Sequence, residues 1–93
     1  METTFYILLH IRTADGFENY GRFNIGNDRE AAYTLFKQLK GRDDVNDKDI
    51  LYLELMETAD ALPLNIKIKS CTLNELTQNC RIITKEIFNL IKS

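Results

Sequence analysis

The 93 residues carry 12 basic and 14 acidic side chains, a formal net charge of −2 with one histidine, and 44% hydrophobic residues. That length is one domain with a modest core that needs no metal or disulfide staples, so residues 1–93 are read as a single domain. Residues 1–45 hold six basic and seven acidic groups, and so do residues 46–93. With no basic patch or charge asymmetry, neither nucleic acid nor an anionic membrane is an expected partner.

No basic region precedes the first apolar run, and that run is too short to span a bilayer, so neither a signal peptide nor a membrane helix is expected. Cysteines at 71 and 80 match no zinc or redox spacing. Reduced thiols and a cytoplasmic location are the default.

Phe5 to Arg12 is β-branched, aromatic and apolar at nearly every position, which predicts a strand buried on both faces. Thr13 to Asn19, containing Asp15-Gly16, reads as a hairpin loop leading into Tyr20 to Ile25, a strand with one wet face. Asn27 with Glu30 marks a helix start, and Ala31, Ala32, Leu35, Phe36 and Leu39 carry the apolar period to about Lys40. Gly41 suits the left-handed cap position.

A charged connector follows, Arg42 to Asp49. Its aspartates at 43, 44, 47 and 49 invite a calcium reading, but Lys48 and Asp49 fall where a ligand and the turn glycine belong, so no metal site is expected. Ile50 to Glu57 is the third strand. Leu64 to Lys69 is the fourth and alternates, Leu64, Ile66 and Ile68 against Asn65, Lys67 and Lys69.

Thr72 and Glu75 form a capping box that opens the last helix. Its apolar stripe is Leu76, Cys80, Ile83, Ile87 and Leu90, widened by Thr84, Phe88 and Ile91, with Lys92 among the solvent-side residues and Ile82 the one apolar exception. Thr13-Ala14-Asp15 matches Thr58-Ala59-Asp60 forty-five residues on, and the two helix starts share that offset. The chain therefore reads as a tandem ββα repeat with halves at about 1–45 and 46–93.

Two apolar and two alternating strands imply an α+β, two-layer fold. The expected sheet is four-stranded and antiparallel, in order 2-1-3-4, with two helices on one face. The repeat alignment puts His10 beneath the helices and leaves Phe5, Ile7, Leu9 and Ile11, with Ile50, Tyr52, Glu54 and Met56, on the uncovered face. Arg22, Asn24, Asn65, Lys67 and Lys69 flank them. The opposite phase, in which Tyr6, Leu8 and His10 face outward, gives a less apolar surface.

An apolar centre with a polar rim predicts a non-catalytic interaction module, a homodimer or an adaptor for another protein, with Phe5, Ile7, Leu9, Ile11, Ile50, Tyr52 and Met56 as the interface. Two alternatives are a binder of a small apolar ligand on that face and a small enzyme using His10 or Cys71. No nucleophile or carboxylate is patterned around His10, which reads as a packed, hydrogen-bonded histidine. Cys71 sits at a helix start, where a thiolate can be stabilised, but it also fits a packing position against Leu76. No phosphate loop or other cofactor motif is present, and no motif points to a known family.

Overall fold

The computed structural model describes the backbone of residues 3–92 and the side chains of residues 3–90. The elements run β1 (Thr3–Thr13), β2 (Gly16–Gly26), α1 (Arg29–Lys37), β3 (Leu51–Ala59), β4 (Leu62–Ser70) and α2 (Leu73–Lys92). The strands form one antiparallel sheet in the order β2-β1-β3-β4, the order expected from placing the most apolar strands in the centre.

Both hairpins are tighter than the sequence suggests. The first closes at Thr13 and Gly16 around Ala14-Asp15, so β2 begins within the stretch read as loop. The second closes at Ala59 and Leu62 around Asp60 and Ala61, whose φ values of 52° and 68° follow the type I′ pattern that matches strand twist. Ala61 holds a side chain in the left-handed region at a cost of about 1–2 kcal/mol.

The core lies on one side of the sheet. Phe5 and Ile7 of β1 and Leu51, Leu53 and Leu55 of β3 cluster with Ala32, Leu35 and Phe36 of α1 and Ile83 of α2. Ile7 stands opposite Leu55, Leu9 opposite Leu53 and Ile11 opposite Leu51, and residues directly opposed across a ladder share a face. This corrects the strand-one assignment. Phe5 and Ile7 are 1% and 0% exposed, with Leu9 and Ile11 packed beside them, so these four lie beneath the helices and not on the open face. Tyr6, Leu8, His10 and Arg12 take the other side. Lys67 and Lys69 oppose Leu55 and Leu53, which moves them to the helix side as well.

The physical reason is a slip of one residue. The turn dipeptides at 14–15 and 60–61 are forty-six apart, while the helix caps Asp28 and Thr72 are forty-four apart. No constant offset of forty-five relates the halves, and one residue of slip exchanges the two faces of a strand.

Asp28, not Asn27, caps α1, its carboxylate accepting from the Ala31 N–H at 3.1 Å. The helix is shorter than its apolar period and ends at Lys37, with Leu39 still buried just beyond. Gly41 has φ +137°, and a Cβ there would collide with the Ser70 carbonyl oxygen. Only glycine lets the connector touch the end of β4, where Arg42 and Ser70 exchange backbone hydrogen bonds of 2.9 and 2.7 Å.

The α2 capping box forms as expected: the Thr72 N–H donates to Glu75 Oε1 at 2.9 Å and the Glu75 N–H to Thr72 Oγ1 at 3.1 Å. Its buried face is narrower than the predicted stripe. Thr84, Phe88 and Leu90 are exposed, Ile82 packs against the core, and Asn79, a polar residue, is fully buried. The side chains of Ile91 and Lys92, assigned to stripe and solvent, lie outside the described residues.

Candidate interaction surface

The face of the sheet away from the core cluster is built by alternate residues of all four strands. Tyr6 opposes Met56, Leu8 opposes Glu54 and His10 opposes Tyr52 across the central pair. From β2, Asn24, Arg22 and Phe17 stand beside Tyr6, Leu8 and Arg12; from β4, Asn65 and Ile68 stand beside Met56 and Glu54. Of the seven residues expected at the interface, Tyr52 and Met56 are here. Ile50 is exposed just before β3, its carbonyl accepting from the Arg12 N–H at 2.8 Å.

A ladder of rings and cations runs across this face. Tyr52 stacks on His10 at a centroid distance of 4.5 Å and meets the edge of Phe17 at 4.9 Å. The Arg12 guanidinium lies 4.4 Å from the centre of the Phe17 ring, and that of Arg22 lies 3.8 Å from the centre of Tyr6. Both are cation–π distances. Arg12 also donates from Nε to the Asp49 carbonyl at 2.8 Å, and Arg22 from Nε to Asn24 Oδ1 at 2.9 Å, so each cation is oriented by its neighbours.

Glu54 is the polar centre. Its Oε1 accepts from His10 Nε2 at 2.7 Å and its Oε2 from the Asn65 amide. Burial, and then the charge of Glu54, pushes the Tyr52 phenol up from its ordinary value, so its hydroxyl stays protonated well above neutral pH. His10 is therefore on the open face, contrary to its expected place beneath the helices. Its hydrogen bond and ring stacking are what the packed-histidine reading expects.

Cys71 is on the other side, within the core cluster. Its thiol contacts the Lys40 carbonyl at 3.3 Å and receives the Asn79 amide at 3.2 Å. Burial pushes it up to about 11, against the opposing pull of that amide hydrogen bond. Cys80 is also raised by burial. His10 and Cys71, either of which the enzyme alternative would use, stand on opposite sides of the sheet.

Cys71 should react with a thiol reagent at neutral pH roughly a hundredfold more slowly than an unhindered cysteine, because its thiolate fraction is lower by about that factor. Its pKa is raised in the folded chain, so its contribution to stability is complete below the ordinary value of 9.0 and is lost as pH rises toward about 11. Reagent titration with and without denaturant, and urea unfolding of the wild type and Cys71→Ala across that range, check both. Rapid labelling of the folded protein would contradict them.

The acidic connector is held by cations of the chain itself. Arg42 bridges Asp44 at 3.2 Å and Asp49 at 2.5 Å, and Asp43 pairs with Lys69 at 2.6 Å. The Lys69 ammonium holds the Asp43 carboxyl below the usual range; for Asp49 the Asn46 N–H does the most, aided by Arg42. Among the described residues no three His, Cys, Asp or Glu side chains converge as metal ligands. No helix among them is long and apolar enough to cross a membrane.

Sequence reasoning placed Tyr6, Leu8 and His10 on this face only as the opposite phase, and it missed Phe17 and Arg12. A signal was available in parity: in both central strands one set of alternate residues is wholly apolar over its middle, Phe5-Ile7-Leu9-Ile11 and Leu51-Leu53-Leu55, while the other carries His10 and Arg12 or Glu54. The set without polar groups belongs against the helices.

Fold and surface together define an α+β protein with one sheet face packed under helix residues and the other presenting aromatic and guanidinium groups. No protein-family model matches the chain, and no curated protein and no solved structure matches it either.

Proposed function

We propose that the protein is a non-catalytic interaction module that binds a protein surface through its open sheet face, in the simplest assembly a second copy of itself. The observation that carries this is the composition of the face: Tyr6, Phe17, Tyr52, Met56, Arg12 and Arg22, with the lysines Lys67 and Lys69 turned to the other side. Tyrosine, phenylalanine, methionine and arginine are enriched where proteins meet, and lysine is depleted. A closed two-fold dimer covers such a surface with itself and needs to bury about 1,200 Å² or more in total.

The interface expected from sequence is thereby revised to Leu8, Phe17, Tyr52 and Met56, with Tyr6 buried on the same face beneath the Arg22 guanidinium. A small apolar ligand has less support, because two clefts, one of about 500 Å³ between α1 and β4 and one of about 270 Å³ along α1, lie away from Tyr52 and Met56. The ββα order occurring twice supports reading the halves as variants of one unit within a single domain. The free thiols Cys71 and Cys80 suit a reducing, cytoplasmic setting.

Sedimentation equilibrium tests the proposal. The wild type should be a dimer at about 100 µM and dissociate on dilution, while Met56→Lys should raise the dissociation constant at least about tenfold, with little change in the unfolding midpoint at dilutions where both proteins are monomeric. A wild-type monomer throughout that range overturns self-association.

A further inference from the structure

β4 is an edge strand, and its outer side is not bare. A cleft of about 500 Å³ runs along it, lined among others by Phe36 and Lys37 of α1, by Ile66, Lys67 and Lys69 of β4, and by Asp43. An edge presents a row of backbone N–H and C=O groups free to pair with another chain. The floor is apolar, since Phe36 is core and Ile66 packs against it. The walls are cationic, and among the described residues neither Lys37 nor Lys67 makes an ion pair.

The chain already shows what this edge accepts. Beside Ser70, Arg42 occupies the place of a fifth, antiparallel strand for one residue, exchanging both backbone hydrogen bonds. The next residue, Asp43, sets its carboxylate on Lys69 at 2.6 Å. The connector then turns away, leaving Ile68 and Lys67 of the edge open as far as the bulge at Ile66, with Lys67 two residues from Lys69 and on the same face.

We propose that the β4 edge is a second binding surface, which takes an extended acidic peptide segment of a partner protein as a fifth antiparallel strand. A peptide carboxylate reaches Lys67, about 7 Å along the strand from the Lys69 that Asp43 already holds, and Lys37 closes the cleft from α1. The lysines also select the occupant. Two copies of this chain pairing edge to edge would bring Lys67 and Lys69 against their like, so the edge rejects itself and admits a chain of opposite charge.

The test uses a capped heptapeptide alternating glutamate with valine or threonine, titrated into the isotope-labelled full chain. Amide shifts should concentrate at Asn65 to Lys69, and a peptide with lysine for glutamate should bind at least about tenfold more weakly. Lys37→Glu with Lys67→Glu should invert that preference. An N-methylated glutamate peptide, which keeps the charge and loses backbone donors, should also bind at least tenfold more weakly if the strand is added. Equal binding of the two charge patterns, unimpaired binding of the N-methylated peptide, or shifts centred on Tyr52 and Met56 overturns the proposal.

Discussion

Ile7→Ala lowers the free energy of unfolding by about 2–5 kcal/mol, the range for emptying a buried aliphatic site that cannot collapse. Ile7 is fully buried at the middle of β1, opposite Leu55, within a cluster fed by both helices. Ile7→Lys has the larger effect, because an ammonium placed there has no partner and small domains have only about 5–15 kcal/mol of stability in total. The Lys variant is expected to be unfolded at 25 °C by circular dichroism, whereas Met56→Lys, on the open face, keeps the native spectrum. A folded Ile7→Lys chain that had merely lost its ability to associate would put β1 back in the opposite phase.

How far the sequence reaches is shown by that same residue. The order of strands was legible because it depends on totals: β1 and β3 are apolar enough to be central, and β2 and β4 are not. The α2 start was legible because Thr72 and Glu75 satisfy one another locally. Which face of β1 is covered depends on a count of one residue, and an apparent repeat misjudges such a count when its hairpins and helix caps shift in opposite directions. Parity within each strand is a local criterion and is immune to that error, which is why the positions of His10, Arg12 and Glu54 carry the correct phase.

The candidate surface was less legible than the fold. Its ladder joins Arg12, Phe17, Tyr52 and His10 from three strands, and the β1–β2 register that brings Phe17 beside Arg12 includes a shift between Leu9 and His10. A bulge leaves Tyr20 unpaired and exposed, and it returns Phe17 to the face it would otherwise leave. Nothing in the periodicity of Tyr20 to Ile25 announces that extra residue. Likewise the cationic cleft on β4 needs Lys37 from α1, a proximity that only the helix crossing creates.

Asn79 was not singled out by the helical period, yet it ties three segments together. Its Oδ1 accepts from the Lys40 N–H at 2.7 Å, and its Nδ2 donates to the Lys40 carbonyl at 2.9 Å and to Cys71 Sγ at 3.2 Å. The backbone just past α1 thereby gains from α2 the partners that a helix end otherwise lacks. Asn79→Ala strands the Lys40 N–H and leaves a small void, and each unsatisfied buried group costs about 1–3 kcal/mol, so a loss of about 2–5 kcal/mol is expected in urea unfolding. Asn79→Asp keeps the acceptor for the Lys40 N–H but removes the donor and buries a carboxylate facing the Lys40 carbonyl, so it should not rescue stability at neutral pH and should recover partly as acid protonates it. Amide exchange at Lys40 provides the local readout, speeding in Asn79→Ala by more than the global loss of stability accounts for. A change below about 1 kcal/mol, with Lys40 exchange unaltered, would mean that water replaces the Asn79 amide and that α1 and α2 are joined by apolar packing alone.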